Sequence, residues 1–248
     1  MISKKQVKRI KALSTKKQRR LSQEFLVQGE KNVVELLNSE LNIVDLFATD
    51  TFSTKHSHLL TGVNVTNIDA EQLSQVSTIT TNQDALAIVE QPRFSMPCQL
   101  NGLVLALDDV NDPGNLGTII RLADWYGVSD ILLSERTADV YNPKTISATM
   151  GAFTRVKTHR VDLVHFLSKV TQPIFGAFLN GESVHSCKFN TNAIIVMGNE
   201  SHGISNEIEA LISQKVTIPS FGASESLNVA MATGIILDNA RRTLSFNH

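Results

Sequence analysis

The residues best placed to do chemistry in this chain stand in three turns rich in Gly, Asn and Ser, each beside an apolar run. Asn111-Asp-Pro-Gly-Asn-Leu-Gly117 follows the run Leu103–Leu107, and Gly198-Asn-Glu-Ser-His-Gly203 follows Ala193–Met197. The third turn, with Gly222, Ser224 and Ser226, leads into an apolar helical stretch from Leu227 to Leu237. Small polar residues at a helix start can aim backbone N–H groups and hydroxyls at a ligand. The plainer alternative is an ordinary N-cap. Three such turns at strand ends point to one composite pocket. Arg121 adds a cation among Ile119, Ile120, Leu122 and Ala123. A charge in so apolar a helix needs a partner or a function, unless it lies on the exposed face of an amphipathic helix. Asp108 and Asp109 end a strand in the manner of metal ligands, yet no His or Cys cluster accompanies them. The expectation is therefore no metal.

The elements that carry these turns alternate. Apolar strands are expected at Leu103–Leu107, Asp130–Leu133, Pro173–Phe178, Ala193–Met197 and Lys215–Ile218. Helical patterns lie between them at Leu116–Tyr126, Pro143–Met150, Leu163–Val170 and Glu207–Ser213. Such alternation predicts an α/β domain with a parallel sheet covered on both faces. Ligands of these sheets bind at the carboxyl ends of the strands, where all three turns fall. No Gly-x-Gly-x-x-Gly follows Leu103–Leu107, and no acidic residue ends a plausible second strand, which argues against a dinucleotide fold. Upstream, Phe25–Gln28, Ile43–Ala48 and Ala87–Glu90 read as strands, with helices at Lys31–Ser39 and Ala70–Gln75. Pro92 and Pro97 mark a linker. The expected division is a small α/β domain over 1–91, a linker over 92–101 and a second domain over 102–248.

Charge is uneven along the 248 residues. The net charge is −1, but the first 20 residues hold nine of the 23 Lys/Arg and no acid, which leaves 14 basic against 24 acidic residues elsewhere. A basic N-terminal arm on an acidic body can meet a polyanion end-on; a solubilising tail is the simpler alternative. Cys98 and Cys187 fit no disulfide framework, metal or redox spacing. The N-terminus lacks the apolar core of a secretory signal. No apolar run reaches the roughly 18 residues of a membrane span. The expected setting is cytosolic, cytoplasmic and away from membranes.

Together the three turns resemble the SpoU family of RNA 2′-O-ribose methyltransferases, within the knotted SPOUT class. Asn115, Gly117 and Arg121 match its Asn-x-Gly-x-x-x-Arg motif, and Gly198, Asn199, Glu200 and Gly203 match Gly-Asn-Glu-x-x-Gly. Ile218, Pro219 and Ser226 to Ala230 match Ile-Pro followed by Ser-Leu-Asn-Val-Ala. The resemblance spans roughly 103–242. It implies a deep trefoil knot, an exception to unknotted chains, S-adenosylmethionine as cofactor and a homodimer in which the partner completes the site. It makes Arg121 the candidate catalytic residue on ribose and phosphate, with Asn115, Glu200, Ser226 and Asn228 as further polar site residues. It places the cofactor against Gly198, Asn199, Ile218, Pro219 and Leu227. His202 falls at a variable motif position and is expected to be a loop histidine without a chemical role.

Lys16-Lys-Gln-Arg-Arg20 before Phe25-Leu-Val-Gln-Gly-Glu30 is similar to the family's substrate-binding domain, which is like RNA-binding ribosomal proteins. That implies an RNA partner, with Lys16, Lys17, Arg19 and Arg20 as phosphate contacts. Such a domain favours rRNA over tRNA, because family members acting on tRNA often lack it. A catalytically silent RNA-binding or ribosome-assembly protein on the same fold is the rival from another class, and the intact polar site residues argue against it. A base methyltransferase of another SPOUT branch usually lacks the arginine at position 121.

Overall fold

The computed structural model describes residues 2–79, 82–96 and 100–245. Residues 97–99 of the expected linker, and with them Cys98, lie outside the described residues. The chain forms two compact units: Met1–Arg93 with Asp139–Thr154, and Phe94–Ala138 with Arg155–His248.

The first unit is built on a four-stranded sheet in the order β1-β4-β2-β3, from β1 (Glu24–Gln28), β2 (Ile43–Ala48), β3 (Val65–Asn67) and β4 (Ala85–Glu90). β4 runs antiparallel to β1 and β2, and β3 runs parallel to β2. Both faces are covered. Phe25 and Val27 join Val33, Leu36 and Phe52 on one side, while Leu26 joins Ile10, Leu13 and Leu73 on the other. The covering helices are α3 (Glu30–Leu37), α4 (Asp50–Lys55) and α5 (Ala70–Val76). The basic N-terminus is not an extended arm but two helices, α1 (Lys4–Ala12) and α2 (Lys16–Ser22). A capping box between Ser3 and Gln6 starts α1, and buried Ile10 and Leu13 anchor the segment.

Residues 139–154, expected in the second domain, pack instead into the first unit. They carry α7 (Pro143–Thr149), whose Ile146 joins Phe25 and Val27 in the core, as does Phe153. Tyr141 lies 4.8 Å from Phe25, ring centre to ring centre. The Arg19–Asp139 ion pair, at 2.6 Å, adds a polar tie. Ile146 and Phe153 join the core within their reach, and sequence order does not dictate which that is.

The second unit carries a six-stranded parallel sheet in the order β10-β8-β9-β5-β6-β7. Its strands are β5 (Leu103–Leu107), β6 (Asp130–Leu133), β7 (Lys157–Arg160), β8 (Ile174–Ser183), β9 (Ala193–Met197) and β10 (Gln214–Thr217). β5 and β9 are buried throughout and pair from Leu103↔Ala193 to Leu107↔Met197. The helices are α6 (Pro113–Trp125), α8 (Leu163–Leu167), α9 (Asn206–Glu209) and α10 (Val229–Ser245), and α6 packs on α10. From β5 the chain first builds outward through β6 and β7. It then returns to build β8, β9 and β10 on the other side. The order therefore reverses between β5 and β9, and ligands of open parallel sheets bind outside the carboxyl ends at such a switch point.

Candidate active site

Two loops leave the switch point side by side: residues 108–112 after β5 and 198–205 after β9. The Glu200 carboxylate joins them. It accepts the main-chain N–H groups of Asn111 and Asp112, both at 3.4 Å, and Asn115 Nδ2 at 3.0 Å. Asn115 sits in the first turn of α6, where Asp112 caps the helix by accepting the Asn115 N–H at 2.9 Å and Pro113 fills the first helical position. Asn228 Nδ2 in turn donates to Asn115 Oδ1 at 3.0 Å. Asn228 Oδ1 accepts from the N–H groups of Ala230 and Met231, at 2.9 and 3.3 Å. This cap fixes the direction of the whole chain of amides: Asn228 must turn its NH₂ to Asn115, and Asn115 its NH₂ to Glu200. Asn228 is thus both helix cap and site residue.

The second loop closes on itself. Asn199 and Gly203 exchange main-chain hydrogen bonds at 2.9 and 3.0 Å. A Cβ on Gly198 would lie 2.2 Å from the Gly203 carbonyl carbon, so only glycine allows this approach. Asn199, expected on the cofactor, uses its side chain inside the protein. It donates to the Asp109 carbonyl at 2.7 Å and accepts from the Ser201 and His202 N–H groups at 2.8 and 3.2 Å. His202 itself is exposed. Asp108 and Asp109 are likewise occupied in tying loops: Asp108 accepts the Ser205 N–H at 2.7 Å, and Asp109 pairs with Arg136 at 2.6 Å. Among the described residues no group of three or more His, Cys, Asp or Glu side chains converges as a metal site would require. Cys187 is buried, and burial pushes its thiol up to about 11. It is far from reactive at neutral pH.

The third turn runs from β10 into α10 with every residue from Ser220 to Asn228 exposed. Pro219 to Leu227 make no main-chain to main-chain hydrogen bond among the described residues. Ile218 is half-buried and Leu227 is 52% exposed, so neither is a core residue. Backbone groups without main-chain partners among the described residues, beside uncovered apolar side chains, fit an adenine-bearing cofactor: main-chain donors and acceptors can read the base edge, and apolar faces can cover the ring. Ser226 is exposed and makes no hydrogen bond among the described residues; the cap belongs to Asn228.

Two expectations need correction. Arg121 is not in a buried helix face. Leu116, Ile119, Ile120 and Ala123 are the buried side of α6, whereas Arg121 is exposed and pairs with nothing among the described residues. It does not touch the Glu200–Asn115–Asn228 network. One turn further on, Trp125 is 81% exposed. Arg19 is not a surface phosphate contact. It is 2% exposed, pairs with Asp139, and donates to the carbonyls of Leu13 and Ser14, both at 2.8 Å. Lys16, Lys17 and Arg20 remain exposed.

Comparison with known proteins decides the family. The SpoU rRNA Methylase family matches residues 102–238, and an MRM3-like substrate binding domain matches residues 4–87. The chain belongs to the SpoU family. A relative over nearly the whole length is the 23S rRNA (guanosine(2553)-2′-O)-methyltransferase RlmP of Bacillus subtilis, 30% identical over 95% of each chain. Among solved structures, a TrmH-family protein from Porphyromonas gingivalis is 36% identical, with a TM-score of 0.86 over 98% of this chain and 99% of that one. An rRNA methyltransferase from Sinorhizobium meliloti with bound AdoMet is 31% identical, with a TM-score of 0.86 over 98% and 97% of the two chains. This SpoU protein is accordingly a methyltransferase that uses S-adenosylmethionine, on the α/β parallel-sheet fold expected of it.

Proposed function

We propose that this SpoU protein methylates a ribose 2′-OH of ribosomal RNA, working as a homodimer with a knotted catalytic unit. The observation that supports it best is the Glu200–Asn115–Asn228 network, which brings three motifs together at the switch point of the sheet. The cofactor supplies a methyl group already activated as a sulfonium. Gly198, Ile218, Pro219 and Leu227 would hold it, largely through main-chain groups. The Glu200 network keeps the two loops and the start of α10 in register, so that the ribose is presented in one geometry. Arg121, which pairs with nothing among the described residues, engages the target phosphate and stabilises charge that develops on the 2′ oxygen. A guanidinium does not give up its proton at neutral pH, so water or an RNA phosphate accepts the 2′-OH proton. The bare α6 face with Arg121 and Trp125, together with Met231 of α10, supports a dimer interface there. Light scattering of the full chain at the monomer mass would refute it.

The first unit supplies affinity for RNA through Lys16, Lys17 and Arg20. The full-length relative acting on 23S rRNA supports rRNA as the substrate class. The test incubates the protein with labelled S-adenosylmethionine and rRNA, then hydrolyses the RNA in alkali. Cleavage needs a free 2′-OH, so ribose methylation leaves labelled, alkali-resistant dinucleotides. Label recovered only in mononucleotides would place the methyl on a base and overturn the proposal.

A further inference from the structure

Asp109 is one of the residues through which the site's two main loops meet, and its backbone is left-handed, with φ of 57°. L-residues rarely adopt that region, and a non-glycine residue held there at a functional site is strained for a reason. Three contacts hold it. Ser134, buried at the end of β6, accepts the Asp109 N–H at 2.9 Å and donates its hydroxyl to the Asp109 carboxylate at 2.6 Å. Arg136 pairs with the other carboxylate oxygen. The left-handed turn then aims the Asp109 carbonyl at Asn199 Nδ2, 2.7 Å away. The support behind Ser134 is itself braced. The Arg160 guanidinium donates to the carbonyls of Ser134, Glu135, Thr137 and Ala138 at 2.5 to 3.0 Å, and Thr137 bonds back to the Leu107 carbonyl at 3.1 Å.

We propose that Asp109 is a positioning residue for methyl transfer: its carboxylate, clamped chiefly by Ser134, holds the left-handed turn whose carbonyl fixes Asn199 and, through it, the Glu200 loop. The inference rests on the methyltransferase reading above. Asn199 precedes Glu200 and also holds the Ser201 and His202 N–H groups, so a displaced Asp109 carbonyl reaches the carboxylate that orients Asn115 and Asn228. Asp109 touches neither cofactor nor ribose in this scheme. The exposed Arg136 adds less than Ser134, because its side chain is 82% exposed and water screens the pair.

The test uses the full chain with S-adenosylmethionine and rRNA. Asp109→Gly can adopt the same turn without backbone strain, which offsets part of the loss of the Ser134 and Arg136 contacts, so it should still fold cooperatively with at most a modest drop in melting temperature. Its single-turnover rate at saturating substrates should nonetheless fall about ten-fold or more, with KM values changed less than about two-fold. Asp109→Asn keeps an acceptor for Ser134 and tolerates the left-handed region, so it should return to within about three-fold of wild type. Hydrogen exchange reads the loop without activity: the Ser201 and His202 amides should exchange about ten-fold faster in Asp109→Gly. Wild-type rate or unchanged exchange in Asp109→Gly overturns the proposal, as does Asp109→Asn transferring no faster than the glycine variant. A wild-type protein that transfers no methyl refutes the methyltransferase reading instead, and exchange still decides whether Asp109 holds the loop.

Discussion

Asn115 and Arg121 stand six residues apart on one helix, yet they have opposite surroundings. Asn115 is locked between Glu200 and Asn228, whereas Arg121 faces outward with nothing to hold it among the described residues. A cation without a structural partner can be removed with little loss of stability, so its role is separable from folding. Arg121→Ala should melt within about 0.5 kcal/mol of wild type and bind S-adenosylmethionine normally, while its transfer rate falls about 10²–10³-fold. Arg121→Lys should recover little, because a point charge does not copy the planar fork. Single-turnover transfer normalised to folded protein measures both; a rate above about a third of wild type for Arg121→Ala would remove this residue from the chemistry. The motif order made Asn115, Glu200 and Asn228 legible as site residues from the sequence. Their contact was not, because Asn115 and Glu200 are 85 positions apart and only the pairing of β5 with β9 brings them together. The sequence left the exposure of Arg121 open for a local reason. Apolar neighbours on both sides hide the fact that position 121 falls on the outer side of α6.

At the scale of elements, the strands buried on both faces were the most readable. β5, β6 and β9 occupy the predicted Leu103–Leu107, Asp130–Leu133 and Ala193–Met197 because each is a near-continuous apolar run. β7 was missed, since Lys157-Thr-His-Arg160 at the sheet edge carries no apolar pattern. α1 and α2 were hidden by nine basic residues that read as an arm. Arg19 illustrates the cost of that reading. It and Asp139 form a largely buried pair, and removing one partner of such a pair costs about 3–5 kcal/mol. Arg19→Ala should therefore lower the melting temperature. Arg20→Ala should leave melting unchanged and weaken RNA binding; equal melting temperatures for the two variants would contradict this assignment. Tyr141 tests the same packing by pH. Burial, helped by the Asp139 carboxylate, pushes its phenol up to about 12, against about 10 in an unfolded chain. A raised folded value means the contribution is complete below the unfolded pKa and is lost as pH rises toward the folded one. Between pH of about 10 and 12 the wild type should lose stability faster than Tyr141→Phe, which has no phenol to ionise. Parallel melting curves across that range would show that Tyr141 is not held in the core.

For the whole molecule, the segment Asp139–Thr154 has a practical consequence. A fragment beginning near Asn101 would retain this segment but lose the sheet that Tyr141, Ile146 and Phe153 pack on, and it would expose apolar surface. The protein should be studied as the full chain. Its two units divide the work proposed for it: exposed Lys16, Lys17 and Arg20 give salt-dependent RNA affinity, and the second unit supplies the cofactor site and Arg121. The proposed reaction delivers the methyl group to one ribose 2′-OH in rRNA. Mapping of alkali-resistant linkages across total RNA, from cells with and without this gene, tests it most directly. Resistance should disappear at a discrete rRNA position in the deletion, return with the wild-type gene and stay absent with the gene for Arg121→Ala. Unchanged resistance throughout rRNA, or a loss confined to tRNA, would contradict it.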